Sequence, residues 1–412
     1  MYQALLQQLR MFNTETFIRE HITGRHESLF AEDIGAYQTT LMQEIVGKRI
    51  LVIGGAGTIG SSFIRAALQF SPAALYVVDT NENGLTELTR SLRSSSSLRV
   101  PAVYKSYPID FGSPLFVKLL EDTESFDIVA NFAAHKHVRS EKDSYSVAAM
   151  LENNVLKNKR LLDLLCRQPP AHFFCVSTDK AANPVNLMGA SKKLMEDVIL
   201  AYAAHLKVST ARFANVAFSN GSLLHGFINR MHNLQPISAP LDVRRYFVSP
   251  IESGQLCLLA CITGNTGDIL FPKLKEEQMI TFSAIAERFL AAYGNFRPKY
   301  CASEAEAKAT QISAGQAGTY PVYFSRSDTS GEKQYEEFYT TGEEVDFSRY
   351  AELGVIEAGT VPTAVEIEEK IGAISGFVYG TDVSKAKLVE LMQQLVPSLE
   401  HLETGRSLDD KM

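Results

Sequence analysis

The stretch Lys48-Arg-Ile-Leu-Val-Ile-Gly-Gly-Ala-Gly-Thr-Ile-Gly60 decides the fold. Ile50 to Ile53 form a short apolar run, as a parallel strand buried on both faces requires. Gly54, Gly57 and Gly60 then follow at G-x-x-G-x-x-G spacing, and Ser61–Phe70 has helical periodicity. Glycines in such a turn let the chain reverse tightly, admit a pyrophosphate close to the backbone and seat the helix against the sheet. The helix N-terminus offers unpaired N–H groups to phosphate oxygens. Gly54, Gly57, Thr58, Ile59 and Gly60 are therefore candidate dinucleotide contacts.

Outward from this turn, strand-like and helical stretches alternate. Leu75–Asp79, Ala102–Tyr107, Asp127–Ala133, His172–Thr178 and Ser209–Val216 are expected strands. Leu85–Leu92, Pro114–Leu120, Val147–Cys166 and Met188–His205 are expected helices between them. Repeated β-α units with short connections imply an α/β protein with a Rossmann-like, doubly wound parallel sheet. Residues 1–46 are expected to form an N-terminal helical extension for packing or oligomerisation, and 47–220 the dinucleotide-binding domain, to which 251–275 return. After Asn220 the rhythm breaks; 221–350 are expected to form a smaller α/β substrate-binding cap. The 233–250 stretch in it carries three prolines and Arg244-Arg-Tyr-Phe247, and Ser303 to Gly318 is an irregular excursion. Residues 351–412 are expected to be helical, with helices at Ser384–Leu395 and Pro397–Leu402 and a frayed tail from Thr404.

Composition narrows the function classes. A chain of 412 residues, 45% hydrophobic and 21% charged, suits a globular protein of two domains or one enlarged enzyme fold. No apolar run approaches the ~20 residues of a bilayer span. The first dozen residues mix Gln and Arg into the apolar ones and lack a signal peptide's hydrophobic region, so a cytoplasmic protein is expected. The net charge of −7 argues against binding nucleic acid through its phosphates. That charge is uneven, with 20 acidic and 9 basic residues from Cys301 onward against 27 and 31 before it, which suits an anionic substrate. The five cysteines contain no CxxC pair and fit reduced thiols. His135-x-His137 is the one close histidine pair and nothing at zinc spacing surrounds it, so no metal site is expected.

Two charged positions stand out beside the glycine turn. Asp79 ends the second strand, where a carboxylate accepts both ribose hydroxyls of NAD and repels the 2′-phosphate of NADP. The alternative is that it opens the turn before Asn81. Asp179-Lys180 follows a strand end, where open α/β sheets place ligands. An acid beside an amine is what a 1,2-elimination needs; a surface ion pair is the plainer reading.

Several stretches are more specific. Asn131-Phe-Ala-Ala-His-Lys-His-Val138, Val176-Ser-Thr-Asp-Lys-Ala-Ala-Asn-Pro-Val-Asn-Leu-Met-Gly-Ala-Ser-Lys192, Arg212-Phe-Ala-Asn-Val-Ala-Phe-Ser-Asn-Gly-Ser222, Arg245-Tyr-Phe247 and Ser330-Gly-Glu-Lys-Gln-Tyr-Glu-Glu337 resemble one family. It is the extended short-chain dehydrogenase/reductases, and within them the bacterial UDP-N-acetylglucosamine 4,6-dehydratases of polysaccharide biosynthesis. The resemblance runs from about residue 47 to 345. It implies NAD-dependent oxidation of the sugar at C4, loss of water across C5 and C6, and reduction at C6, for a surface glycan. Lys180 is then the C5 base, provided its pKa is lowered toward neutrality. Asp179 is the acid for the C6 hydroxyl and Thr178 holds the C4 oxygen.

The resemblance also implies cofactor contacts at Ala133 and Lys192. Asp110 stands where adenine is often contacted or, alternatively, caps a helix. His137, with Lys136, lines the cofactor and substrate side or packs in the core; Asn154 is structural. Asn215, Ser222 and Arg245 surround the UDP moiety of a UDP-N-acetylhexosamine, with Arg139 and Arg326 as further candidates. A homo-oligomer is expected. Met188 departs from the Tyr-x-x-x-Lys of most short-chain dehydrogenases. Either turnover is lost, or another group, Asp179 or an ordered water, accepts the C4 proton as in the active Met-containing branches; the intact Asp179-Lys180 favours the second. A UDP-sugar epimerase, a dehydratase inverting C5 and a silent nucleotide-sugar binder remain as alternatives.

Overall fold

The computed structural model describes residues 12–137, 141–310, 318–327, 335–359, 361–381 and 384–401. Residues 1–11 of the expected N-terminal extension, Arg139, 330–334 of the last resembling stretch, Leu402 and the tail from Thr404 lie outside them.

Six parallel strands build the centre: β1 (Arg49–Ile53), β2 (Ala74–Val78), β3 (Val103–Tyr107), β4 (Ile128–Asn131), β5 (His172–Val176) and β6 (Val208–Ala211). They run β6-β5-β4-β1-β2-β3 across the sheet, so the order reverses between β1 and β4. Ile269–Pro272 continues the sheet in parallel beside β6. Leu353–Ile356 and Val345–Asp346 close it in antiparallel fashion, giving nine strands. The expectation that 351–412 is helical is therefore corrected: Leu353-Gly-Val-Ile is an apolar run, buried throughout, that completes the sheet edge. Helices follow it at Ala364–Val378, within the region expected to be helical, and at Lys385–Leu395; 397 and 398 form a turn instead of a helix.

The pleat sorts the side chains. Ile50 and Val52 of β1, Leu75 and Val77 of β2, and Ile128 and Ala130 of β4 enter one core with the helices Thr58–Leu68 and Pro250–Thr263. Leu51 and Ile53, Val78 and Val129 enter the other, against Ser144–Leu165, Leu187–Ala201 and the two C-terminal helices. The expected helix over 147–166 is broken by a π turn at Glu152–Leu156. Asn233 to Pro250 contains the short strands Ile237–Pro240, Arg244–Arg245 and Phe247–Val248. Ile237–Pro240 joins Thr319–Ser325 and Arg297–Tyr300 in a small parallel sheet of the cap, and a helix at Glu304–Ala309 interrupts the excursion after Ser303.

The N-terminal extension packs onto both parts. Phe17 meets Phe218 and Phe289 in a third apolar cluster beneath the cap helix Phe282–Gly294. Arg25 donates from Nε and Nη2 to both oxygens of Glu252, at 2.7 and 2.8 Å. Asp33 accepts the N–H groups of Ala351 and Glu352, at 2.6 and 2.9 Å, and so fixes the approach to the strand Leu353–Ile356.

Arg212, just past β6, is a charged residue with no solvent exposure. Its Nε and Nη2 donate to the two oxygens of fully buried Glu196 at 3.0 and 2.8 Å. Nη1 and Nη2 donate to Glu343 at 2.9 and 2.7 Å, and Nη1 also to the Phe338 carbonyl at 2.9 Å. Removing the guanidinium strands a buried carboxylate, so Arg212→Ala should destabilise the protein by about 3–5 kcal/mol in urea denaturation. Arg212→Lys should recover only part of that, since an ammonium cannot make the paired bonds.

Candidate active site

The loops after β1 to β6 all open at the sheet's C-terminal edge, at the place where strand order reverses. They enclose a cleft of about 930 Å³, roofed by the cap.

On one side the cleft fits a dinucleotide. Gly54 has φ +74°, and a Cβ there would stand 2.5 Å from the Ala133 nitrogen, so the β1 and β4 loops touch backbone to backbone. At Gly60 a Cβ would collide with the Gly54 carbonyl. At Gly57 the nearest protein atom would lie 3.4 Å away, an ordinary contact, although the residue lines the cleft. The protein's own packing does not require glycine there; a phosphate approaching from the cleft does. Helix Thr58–Leu68 starts at Gly57 with no side-chain cap, leaving that role open to an anion. Thr58 instead accepts the Asn220 N–H at 2.9 Å.

Asp79 takes its turn-opening role and also stands at the cleft. Its oxygens accept the Ala56 and Asn81 N–H groups, at 3.0 and 2.9 Å, while the residue lines the cleft. Asp110 also lines the cleft, but the helix-cap reading is corrected: Ser113 caps Pro114–Glu121. Asp110 accepts from Lys157 Nζ at 2.6 Å and from the Gly112 N–H at 2.8 Å. Burial opposes ionisation of Asp110, yet these two donors hold its pKa below the ordinary value. Asn154, in the π turn, accepts the His135 N–H and donates to the His135 carbonyl, both at 2.9 Å. That double bond fixes the loop carrying Ala133, Lys136 and His137 along the cleft wall. His137 faces the cleft and not the core; its ring is 3.0 Å from where a Gly221 Cβ would be.

The reactive groups lie on the other side. Thr178 caps the turn Asp179–Ala181 and its hydroxyl donates to Asp179 Oδ1 at 2.7 Å. Lys180 Nζ lies 3.1 Å from Asp179 Oδ1 and 3.3 Å from Glu336 Oε1. Helix Leu187–Ala201 comes close because Gly189 has no side chain; a Cβ there would stand 2.5 Å from the Lys180 carbonyl oxygen. One turn apart on it, Met188 and Lys192 both line the cleft, Lys192 donating to the Val176 carbonyl at 3.0 Å. Buried Glu141 accepts the Met188 N–H at 2.9 Å.

Electrostatics reverses one expectation. Lys180 was expected to need a lowered pKa. Burial does push it down, but the Asp179 and Glu336 carboxylates outweigh burial and raise it above the usual lysine value. The resting group is an ammonium. Lys192, by contrast, is lowered, chiefly by burial.

A second correction concerns Arg245. It is 4% exposed and absent from the cleft wall; Nη2 lies 3.6 Å from Glu336 and Nη1 donates to the Arg244 carbonyl. The buried carboxylate that Lys180 also approaches holds it there. Arg230 and Arg326 line the cap end of the cleft instead, beside Ser238 and Ser325. Asn215 and Ser222 line it as well, Ser222 also capping helix Leu223–His232. Sequence reasoning missed Arg230, Glu141 and Glu336. Glu336 stood in a stretch quoted for its resemblance, so a signal existed without a role.

Known proteins place this arrangement. The pattern of the polysaccharide biosynthesis protein family matches residues 50–357. The capsular polysaccharide biosynthesis protein CapD of Staphylococcus aureus is 30% identical over 235 residues, 56% of this chain and 38% of CapD, so the chain spans well under half of that relative. UDP-glucose 4-epimerase of Rickettsia canadensis is 26% identical over 235 residues, 55% of this chain and 67% of the epimerase. Among solved structures, Pen of Bacillus thuringiensis superposes with a TM-score of 0.63 at 20% identity, covering 85% of this chain and 99% of Pen, a likeness of fold.

Asp79 generates a direct test. The protein should bind NAD well above NADP by calorimetry, and Asp79→Ala should narrow that gap; equal affinities in the unmodified protein would contradict the assignment.

Proposed function

This chain belongs to the polysaccharide biosynthesis protein family, a group of short-chain dehydrogenase/reductase enzymes that modify nucleotide sugars, and from that premise we propose that it is a UDP-N-acetylhexosamine 4,6-dehydratase. Its substrate is UDP-N-acetylglucosamine and its product the 4-keto-6-deoxy sugar. The observation that carries this reading is the Thr178–Asp179–Lys180 chain in the cleft, linked at 2.7 and 3.1 Å. Interconversion at C4, the activity for which the Rickettsia relative is named, requires proton transfer only at the C4 oxygen and leaves such a pair without a task.

Gly54 to Gly60, Asp79 and Lys192 are suited to hold NAD, which supplies the hydride acceptor and donor. The protein's own groups move the protons. Thr178 holds the C4 hydroxyl and passes its proton to Asp179, which replaces the phenol missing at Met188. Asp179, now protonated, is the acid that the departing C6 hydroxyl needs. Its neutralisation also removes one of the two carboxylates that hold a proton on Lys180, which shifts Lys180 toward the free amine. That amine takes the C5 proton, acidified by the neighbouring ketone, and later returns a proton to C5. Water carries away the C6 oxygen, and the net change in the sugar is loss of one water. Arg230 and Arg326 are placed to bind the diphosphate, since a guanidinium pairs with phosphate oxygens through two bonds.

Lys180→Ala separates the two half-reactions. It should keep NAD and still oxidise C4, seen as enzyme-bound reduced cofactor by absorbance, while 6-deoxy product falls ~10²–10⁴-fold. Product at the unmodified rate would refute the elimination chemistry.

A further inference from the structure

Glu336 takes no part in the chemistry described so far, yet it is 6% exposed and sits against the group that chemistry depends on. Its segment is held from behind: Arg212 binds the Phe338 carbonyl and Glu343, and the Phe338 ring stacks on Phe271 at 5.7 Å. From there Oε1 lies 3.3 Å from Lys180 Nζ, with Arg245 Nη2 at 3.6 Å. Glu336 is not part of the cleft wall, whereas Lys180 is.

We propose that Glu336 is a positioning residue that acts through Lys180, accepting the resting proton of the ammonium so that the amine is free to attack C5–H. This rests on the dehydration reading. A base must begin without its proton, and Lys180 begins with one. Asp179 cannot relieve it, because Asp179 has to keep the C4 proton until the C6 oxygen leaves. The other carboxylate in ion-pair distance of Lys180 among the described residues is Glu336. Glu337, its neighbour in sequence, is engaged by Asn183 at 2.9 Å, and Glu196 and Glu343 are taken by Arg212. Protons balance: ammonium and carboxylate become amine and carboxylic acid before C5 is deprotonated. The amine is regenerated when C5 is reprotonated, and the ion pair re-forms as product leaves. Arg245, cationic beside Glu336, opposes protonation of that carboxylate and draws the pair back to its resting state.

Glu336→Gln keeps the shape and removes the acceptor. In D2O with UDP-N-acetylglucosamine, deuterium entry at C5 should fall about 10²-fold at neutral pH while single-turnover C4 oxidation is retained. The variant's C5 rate should then climb with pH by about tenfold per unit, because solvent must deprotonate Lys180 directly. The unmodified enzyme should be flat over that range, and Glu336→Asp, which keeps a carboxylate, should be flat as well. In substrate-free enzyme, nitrogen NMR of the Lys180 ammonium should show it titrating at lower pH in Glu336→Gln. An unmoved Lys180 titration overturns the proposal, as does equal loss of both half-reactions with an unchanged pH profile. If the unmodified enzyme places no deuterium at C5, the dehydration reading fails, and the Lys180 titration still decides whether the proton link exists.

Discussion

Arg212 has no contact with water, and the reactive end of the cleft hangs on it. One side of its guanidinium holds Glu196, on the helix that also carries Met188 and Lys192. Glu196 accepts the Ser177 hydroxyl at 2.6 Å, immediately before Thr178. The other side holds Glu343 and Phe338, on the segment that brings Glu336 to Lys180. Desolvating these charges is costly, and the ion pairs recover the cost only if every partner keeps its place. Strand end, active-site helix and the returning segment from the far end of the chain are thereby set relative to one another.

This rigidity gives meaning to the loss of the usual tyrosine. A thioether at 188 cannot take a proton, but the site holds several groups that can exchange one, coupled in a row. Thr178 touches Asp179, Asp179 touches Lys180, and Lys180 touches Glu336. In such a row the charge on each member sets the proton affinity of the next. On the proposed mechanism, moving one proton onto Asp179 would both arm the acid and loosen the base. On that mechanism a phenol at 188 would be a second acceptor for the proton assigned to Asp179.

Much of this was legible in the sequence. The β-α alternation and the glycine turn specify the parallel sheet because buried strands and helix starts are local patterns, and Asp179-Lys180 is visible as an adjacent pair. What escaped depends on distance along the chain. The family resemblance put Arg245 around the UDP moiety; only the fold brings Glu336, 91 positions later, against it. Glu336 also joins Asp179 in raising Lys180 against burial and Arg245, a contribution that adjacency in sequence does not show. The strand Leu353–Ile356 is four residues long and its antiparallel pairing with Ile269–Pro272 has no local signature. The π turn at 152–156 preserves helical periodicity nearly enough to hide in a continuous helix.

The central claim is that the hydrogen leaving C4 returns within the same sugar at C6. The decisive measurement is NMR of the product formed from UDP-N-acetylglucosamine deuterated at C4, in ordinary water. A 4-keto-6-deoxy product with that deuterium in its C6 methyl group is the predicted result. Deuterium returned to C4 of an inverted hexosamine, or a C6 methyl without it, would contradict the account.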